Sequence, residues 1–428
     1  MKKFIFILLI IFISSSCYAA ENGLSLEECL NIALNNHPSL RKSKAVTRAA
    51  RASLEQVKSS NRVKVNLTSK TGFAGDYKNW DTHYSSQNFG ISATKTLYDT
   101  GINRLNREIQ NENINSAIQS ERQTQIDVAA NAKKAYYDLV LKILNRDVAR
   151  EKLNNLEQHL KTAKGIYDVG NSPYIDVTKA EADVASARVT LLKAENDITT
   201  SQEALKVAMG VSDYDTFDLL LSTNLFLPEP AEKIEVLLAT AMKDRADYQR
   251  ILHVIKSREL EIKTAARSNS PTITGSIGSD FNKREATNPV RDYNASINVN
   301  IPIEDGGETR AKIEAAKAQL EQDLADEEAL KQTINHDLRS FALSLTNAID
   351  RVKSSEATVK YSEENLVLAQ GRYEVGVGDP LEISDAVSTL ASSRYTFYEA
   401  LYDAQIARTN LDQALGHLPP EYNFEGSL

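Results

Sequence analysis

The 428-residue sequence is poor in several residue types, and each shortage excludes a class of protein. There are two cysteines, Cys17 and Cys29. They cannot make a disulfide framework, and neither stands in a CxxC pair or at a zinc-ligand spacing. Glycine (17) and proline (10) are scarce, which argues against an all-β fold with many turns and fits long helices. Basic blocks are absent and the formal net charge is −8, so nucleic acid is not expected as a partner. Beyond the N-terminal segment, no stretch reaches the ~18 apolar residues of a membrane-crossing helix. HExxH, GxSxG and GxxxxGK[ST] patterns are all missing. His37, His83, His159, His253, His336 and His417 are scattered singly along the chain. No enzyme, metal centre or cofactor is expected. What remains is a foldable chain, 42% hydrophobic and 25% charged.

The N-terminus reads as an export signal. Lys2 and Lys3 form its positive region, residues 4–13 its apolar run and residues 14–20 its small-residue region. Cleavage after Ala19 would make residues 1–19 the signal peptide. Lipidation at Cys17 is the alternative, although Ser14 stands where such signals usually carry leucine.

The chain repeats itself. Gly165-Ile166-Tyr167-Asp168-Val169-Gly170 returns as Gly371-Arg372-Tyr373-Glu374-Val375-Gly376, an offset of 206. The same offset relates Asp99 to Asp305, Gly101 to Gly307 and Gly210 to Gly416. A long period held without net insertion indicates a duplicated half-molecule built from helices of equal length. The division expected is 20–210 for the first repeat, 211–230 for a linker, 231–416 for the second repeat and 417–428 for a tail.

Heptad spacing marks the helices. Leu153, Leu156, Leu160, Ala163 and Tyr167 form one seam, and Val177, Ala180, Val184, Ala187, Leu191, Ala194 and Ile198 another. Ile383, Ala386, Leu390, Ser393, Phe397, Ala400 and Ala404 repeat the second seam. The helix expected from about Asn103 to Tyr167 is ~100 Å long, and its return, from about Tyr174 to Met209, is much shorter. A single N-terminal helix from Ser25 to about Ser59, opened by a Ser25–Glu28 capping box, supplies the missing length. An ordinary antiparallel coiled coil would carry the same seams.

At the other end of each rod the period changes to two. Val63, Val65 and Leu67, then Phe89, Ile91 and Ala93, alternate with polar residues, as do Ile273, Gly275 and Ile277, then Ile297, Val299 and Ile301. Strands are expected near 61–74, 86–98, 271–283 and 291–303. Lys95 interrupts the second apolar face. Polar residues 73–87 and 281–292 are expected to form outward loops, with Tyr77, Trp80 and Tyr84 near a lipid headgroup boundary. Apolar and small polar residues in alternation suit a barrel strand between lipid and water. A half-buried sheet in a soluble domain would look alike. Four strands cannot enclose a lumen, so a barrel would need several protomers.

Together these residues resemble the TolC-like outer membrane efflux protein family. The resemblance spans about 22–418. It rests on Leu24-Ser25-Leu26-Glu27-Glu28-Cys29-Leu30 with Asn36-His37-Pro38-Ser39-Leu40, and on Leu97-Tyr98-Asp99-Thr100-Gly101, echoed by Ile303-Glu304-Asp305-Gly306-Gly307. The doubled Gly-x-Tyr-x-Val-Gly motif and the duplication complete it. The fold it implies is α+β, mainly long α-helices. Three protomers of four strands each would form a twelve-stranded barrel in outer membrane lipid, continued by a periplasmic helical tunnel. Implied partners are two further copies of the chain, a periplasmic adaptor and an inner-membrane pump. Such a duct would serve efflux or type I secretion. A soluble periplasmic adaptor or scaffold is the competing reading of the coiled coil.

The resemblance also implies site residues. Glu382 and Asp385 match an acidic ring at the tunnel entrance; on one chain alone they would be a solvated acidic helix face. Asp176 and Tyr373 match a latch between the two hairpins. Gly378 stands where the family's best-known pattern has an arginine, and Arg372 is expected to face elsewhere on its helix. Gly170, Asp176, Val177, Gly376, Glu382 and Ile383 match the tips that contact the adaptor. Gly170 and Gly376 are also expected to end helices in the left-handed conformation.

Overall fold

The structure, a computed structural model, describes residues 24–76, 79–212, 226–284, 288–375 and 377–419. The proposed signal peptide, Cys17, Tyr77, Gly376, most of the linker and the end of the tail lie outside the described residues, as do the side chains of Trp80 and Tyr84.

The elements run α1 (Leu26–Asn36), α2 (Pro38–Ser60), β1 (Lys64–Asp76), β2 (Asn79–Tyr98), α3 (Ile102–Asp168) and α4 (Tyr174–Met209) in the first half. The second half gives α5 (Ile234–Asp244), α6 (Ala246–Ala265), β3 (Thr272–Arg284), β4 (Val290–Asn300), α7 (Glu308–Glu374) and α8 (Pro380–Leu415). Helices α3 and α7 are each 67 residues long, and α4 and α8 are each 36. The offset of 206 thus holds at both ends of both helix pairs. A rod of 67 residues measures ~100 Å.

The single N-terminal helix expected over 25–59 is in fact two. Its start is as expected: Ser25 Oγ accepts from the Glu28 amide at 3.2 Å, and Glu28 accepts from the Ser25 amide at 2.8 Å. The break falls at His37, which is extended (φ −61°, ψ 129°) because the following Pro38 crowds an α-conformation. His37 then caps α2, its Nδ1 accepting from the Ser39 amide at 3.2 Å. The second half breaks at the corresponding place without proline, at Arg245 (φ −70°, ψ 119°).

Those breaks are where the short helices stack. Gly210 ends α4 at φ +71° and lies against His37, so close that a Cβ would sit 2.6 Å from the His37 Cα. Gly416 ends α8 at φ +79°, and its Cβ would sit 2.7 Å from the Arg245 Cα. Both positions demand glycine twice over, for conformation and for space. In this way α4 continues end to end into α2 along α3, as the length arithmetic requires.

The strand-to-helix motifs act as caps. The Asp99 carboxylate accepts from the amides of Gly101 (3.0 Å) and Asn103 (2.8 Å), satisfying donors of the first turn of α3. Asp305 does the same for Gly307 (3.0 Å) and Thr309 (2.9 Å) at α7. Thr100 holds a left-handed φ of +56° where the second repeat has Gly306 at +65°. Its carbonyl accepts from Arg267 (3.1 Å) and its hydroxyl donates to the Pro271 carbonyl (3.0 Å), which fixes the turn.

The strands form one antiparallel sheet in the order β1-β2-β3-β4. Val65, Ala93, Ile277 and Ala295 are cross-strand neighbours on one face, and Lys64, Thr94, Ser276 and Ser296 on the other. Val65, Leu67, Ile277 and Ile297 are all exposed on this single chain. The expected outward loops are shorter than read from the sequence. β1 and β2 keep pairing through Thr71–Gln87 and Phe73–Ser85 up to Asp76–Asn79, and β3 continues to Arg284. Ladder hydrogen bonds come from the backbone, so strands persist where the side chains become polar. β4 stops at Asn300, short of the expected 303, because Pro302 has no amide to donate.

Candidate functional site at the helical tips

The far ends of α3–α4 and α7–α8 form two hairpin tips that share one core. Leu153 and Leu156 of α3, Val184 and Ala187 of α4, Leu366 of α7 and Ile383 of α8 are all part of it. Gly170 ends α3 at φ +80°, its amide donating to the Tyr167 carbonyl at 2.8 Å, as expected for a left-handed terminus. The second tip starts α8 with Pro380 in the first turn and Asp379 Oδ1 accepting from the Leu381 amide at 2.8 Å.

Glu382 and Asp385 are both exposed on α8. Arg372 does not face away. Its Nε donates to Glu382 Oε2 at 3.2 Å, because the tight turn brings the last turn of α7 beside the first turn of α8. Gly378 explains why no side chain stands where the family's pattern has arginine: a Cβ there would lie 2.8 Å from the Tyr373 amide nitrogen. Asp385 lies in a groove between α7 and α8 whose other lining groups are hydroxyls, among them Ser355, Thr358, Ser388, Ser392 and Thr396.

Asp176 and Tyr373 stand on different hairpins. The Asp176 carboxylate accepts from Ser172 Oγ at 2.6 Å. Tyr373 is buried, and among the described residues its hydroxyl has no hydrogen-bond partner. Burial, and then the Asp176 charge, push the phenol pKa up, so the two residues sense each other electrostatically without a direct bond. Val177 (3% exposed) and Ile383 (5%) point into the packing. The apolar groups on the outside of the tips include Val169, Ile175, Val375 and Val377.

Direct polar links between the hairpins lie elsewhere. Ser384 of α8 donates to Asp183 of α4 at 2.6 Å. Arg394 of α8 joins Glu363 of α7 at 2.7 Å and also Glu151 of α3. His159 of α3 packs edge-on against Tyr373, with ring centroids 5.5 Å apart. Ser384 sits inside the motif that carries the acidic pair, and Asp183 is two helical turns beyond Asp176. Spacing alone gives no sign that the two meet across hairpins. Arg394 repeats Arg188, which pairs with Glu157 at 3.0 Å within the first hairpin. The offset of 206 applied to Glu157 leads to Glu363.

Among the described residues, no group of His, Cys, Asp or Glu is arranged to hold a metal ion, and no helix is long and apolar enough to cross a membrane. The sheet, one face of which is apolar and exposed, stands at the end of the ~100 Å helical hairpins opposite the tips. This architecture defines a class of fold: a four-stranded antiparallel sheet carried at one end of two duplicated long-helix hairpins.

The chain belongs to the outer membrane efflux protein family, whose model matches residues 29–211 and 237–417, one match for each repeat. TolC of Vibrio cholerae is 23% identical over 268 residues, spanning 61% of this chain and 61% of that protein's length. The probable outer membrane lipoprotein SilC of Salmonella typhimurium is 22% identical over 392 residues, covering 90% and 84% of the two chains. A crystal structure of CusC superposes with a TM-score of 0.78 at 18% identity, covering 94% of this chain and 96% of that one. The protein is an outer membrane efflux channel of a non-enzymatic family.

Proposed function

We propose that three copies of this chain close into one exit duct. In this reading a periplasmic adaptor and an inner-membrane pump recruit the duct, which conducts their cargo passively to the outside. The observation that carries this is the sheet: β1 and β4 are both open edges, and the face beside them is apolar. Unpaired edge strands in lipid need partners, and a neighbouring copy supplies them. The helices support the same reading. α6 packs against both α3 and α7, whereas its counterpart α2 packs on α3 but on no α7 within the chain. A neighbour's α7 would complete α2 as the chain's own α3 completes α6.

In this assembly Glu382 and Asp385 would form a cation-attracting constriction, and Asp176 and Tyr373 would lie within the closure between hairpins. Gly170, Gly376, Asp176 and Glu382, with the exposed valines around them, are the proposed adaptor contacts. Val177 and Ile383 would shape those tips from inside. The test is full-length protein extracted in detergent. A heat-sensitive trimer on gels, with ion conductance in planar bilayers, is expected. A monomer that partitions into the aqueous fraction would support a soluble scaffold instead.

A further inference from the structure

We propose that His159 is a proton-responsive positioning residue of the periplasmic entrance, holding the two hairpins together while neutral and releasing them once protonated. The inference rests on the duct reading for its functional meaning, but its geometry stands on one chain. His159 lies on α3 between the buried seam residues Leu156 and Ala163. It is 6% exposed, and its Nδ1 has no hydrogen-bond partner among the described residues. Its ring meets Tyr373 of the other hairpin, whose hydroxyl is likewise buried and unpartnered. Two unpaired polar atoms at one inter-hairpin contact are costly, and water reaching them would relieve that cost.

Several groups act on the imidazole. α4 brings Asp183, Asp176 and Lys179, and α7 brings the Tyr373 phenol. α8 contributes Ser384, which holds Asp183 at 2.6 Å. Asp176 and Asp183 belong to the same hairpin as His159. An imidazolium would therefore draw Asp183 inward, away from Ser384 of the second hairpin. It would also be a charge in an apolar seam, relieved most simply by parting the hairpins and admitting water. Both effects loosen the same contact.

The sign follows from linkage. Burial lowers the pKa of His159 from its ordinary 6.5, against the opposing pull of Asp183 and Asp176. The packed state therefore holds fewer protons than the parted state. Packing is fully favoured above the ordinary value of 6.5 and is lost as pH falls below it. The ratio of parted to packed hairpins rises by at most about tenfold per pH unit for each chain that titrates.

The test uses full-length protein in lipid nanodiscs and planar bilayers, comparing wild type with His159→Gln and His159→Phe. The first variant keeps a polar group without a proton; the second keeps the ring contact with Tyr373. Amide exchange at the tips of α4 and α8, corrected for its intrinsic pH dependence, is measured at pH 7.5 and 5.5. Wild-type exchange and conductance are expected to rise severalfold on acidification and both variants to stay flat. Glu382 and Asp385 remain in all three proteins, so any titration of theirs is common to them. Equal acid responses in wild type and in either variant would overturn the role of His159, as would a wild type that does not respond. If exchange follows this pattern but no protein conducts at any pH, the duct reading fails and the role of His159 in packing survives.

Discussion

Ser384 and Asp183 belong to opposite halves of a duplicated chain, and their side chains meet at 2.6 Å. A hydroxyl donating to a carboxylate contributes more than a neutral pair, about 1.5–3 kcal/mol when shielded from water. This one is part-buried, so the lower end applies. Ser384→Ala is therefore expected to weaken the joint between hairpins by about 1–2 kcal/mol. Hydrogen exchange at the tips reads this as a loss of protection of roughly tenfold. Unchanged protection would mean that the apolar core alone holds the tips.

In the proposed duct, Arg372 would set how much of the Glu382 charge faces the passage. The pair is exposed, so it contributes little to stability, but its guanidinium stands against one of the two carboxylates of the proposed ring. Arg372→Gln is expected to raise cation selectivity and tighten block by multivalent cations from the periplasmic side. Replacing Glu382 and Asp385 with Ala is expected to abolish most of both. Reversal potentials in salt gradients decide the matter. Wild-type values in both variants would make the pair an ordinary solvated surface.

The sheet makes a third expectation. Val65 and Val299 lie on the apolar face, and Asn298 on the polar one. Aspartate at either valine puts a charge on that apolar face, costing up to about 2 kcal/mol in lipid, less than Lys or Arg would, and membrane assembly should fall. Aspartate at Asn298 should assemble normally. Comparable yields of folded protein from all three variants would refute this assignment of faces.

Cys29 gives a chemical check on the equatorial packing. It is fully buried, and burial pushes its thiol from 9.0 up to about 12. The folded state thus retains the thiol proton, a contribution present below pH 9 and lost as pH rises through about 12. Maleimide labelling at pH 8 should be slow in the native protein and rapid in guanidinium. Rapid native labelling would show that α1 opens from α3.

Much of this was readable from the sequence because helix length and repeat offset are strict one-dimensional quantities. The offset of 206 located both ends of α3, α4, α7 and α8. Alternation located the two faces of the sheet. The strand ends are less legible, because side chains turn polar before backbone pairing stops. The break between α1 and α2 is masked in the sequence because the helical pattern that Pro38 interrupts is otherwise continuous. Tip chemistry was harder still. Arg372 meets Glu382, Ser384 meets Asp183 and His159 meets Tyr373 through turns and inter-hairpin packing that no local spacing encodes.

The glycine seats at Gly210 and Gly416 have a mechanical consequence. Each pins one end of a 36-residue helix against a break in a neighbouring helix, leaving the other end ~54 Å away at the tip. A lever of that length turns a tilt of ~5° at the seat into ~5 Å of travel at the tip. Adjustments too small to disturb the packing around the seats are therefore enough to move the tips, and with them the bore of the proposed duct. An added methyl at either seat would shift the fulcrum and displace the tips without touching a residue there.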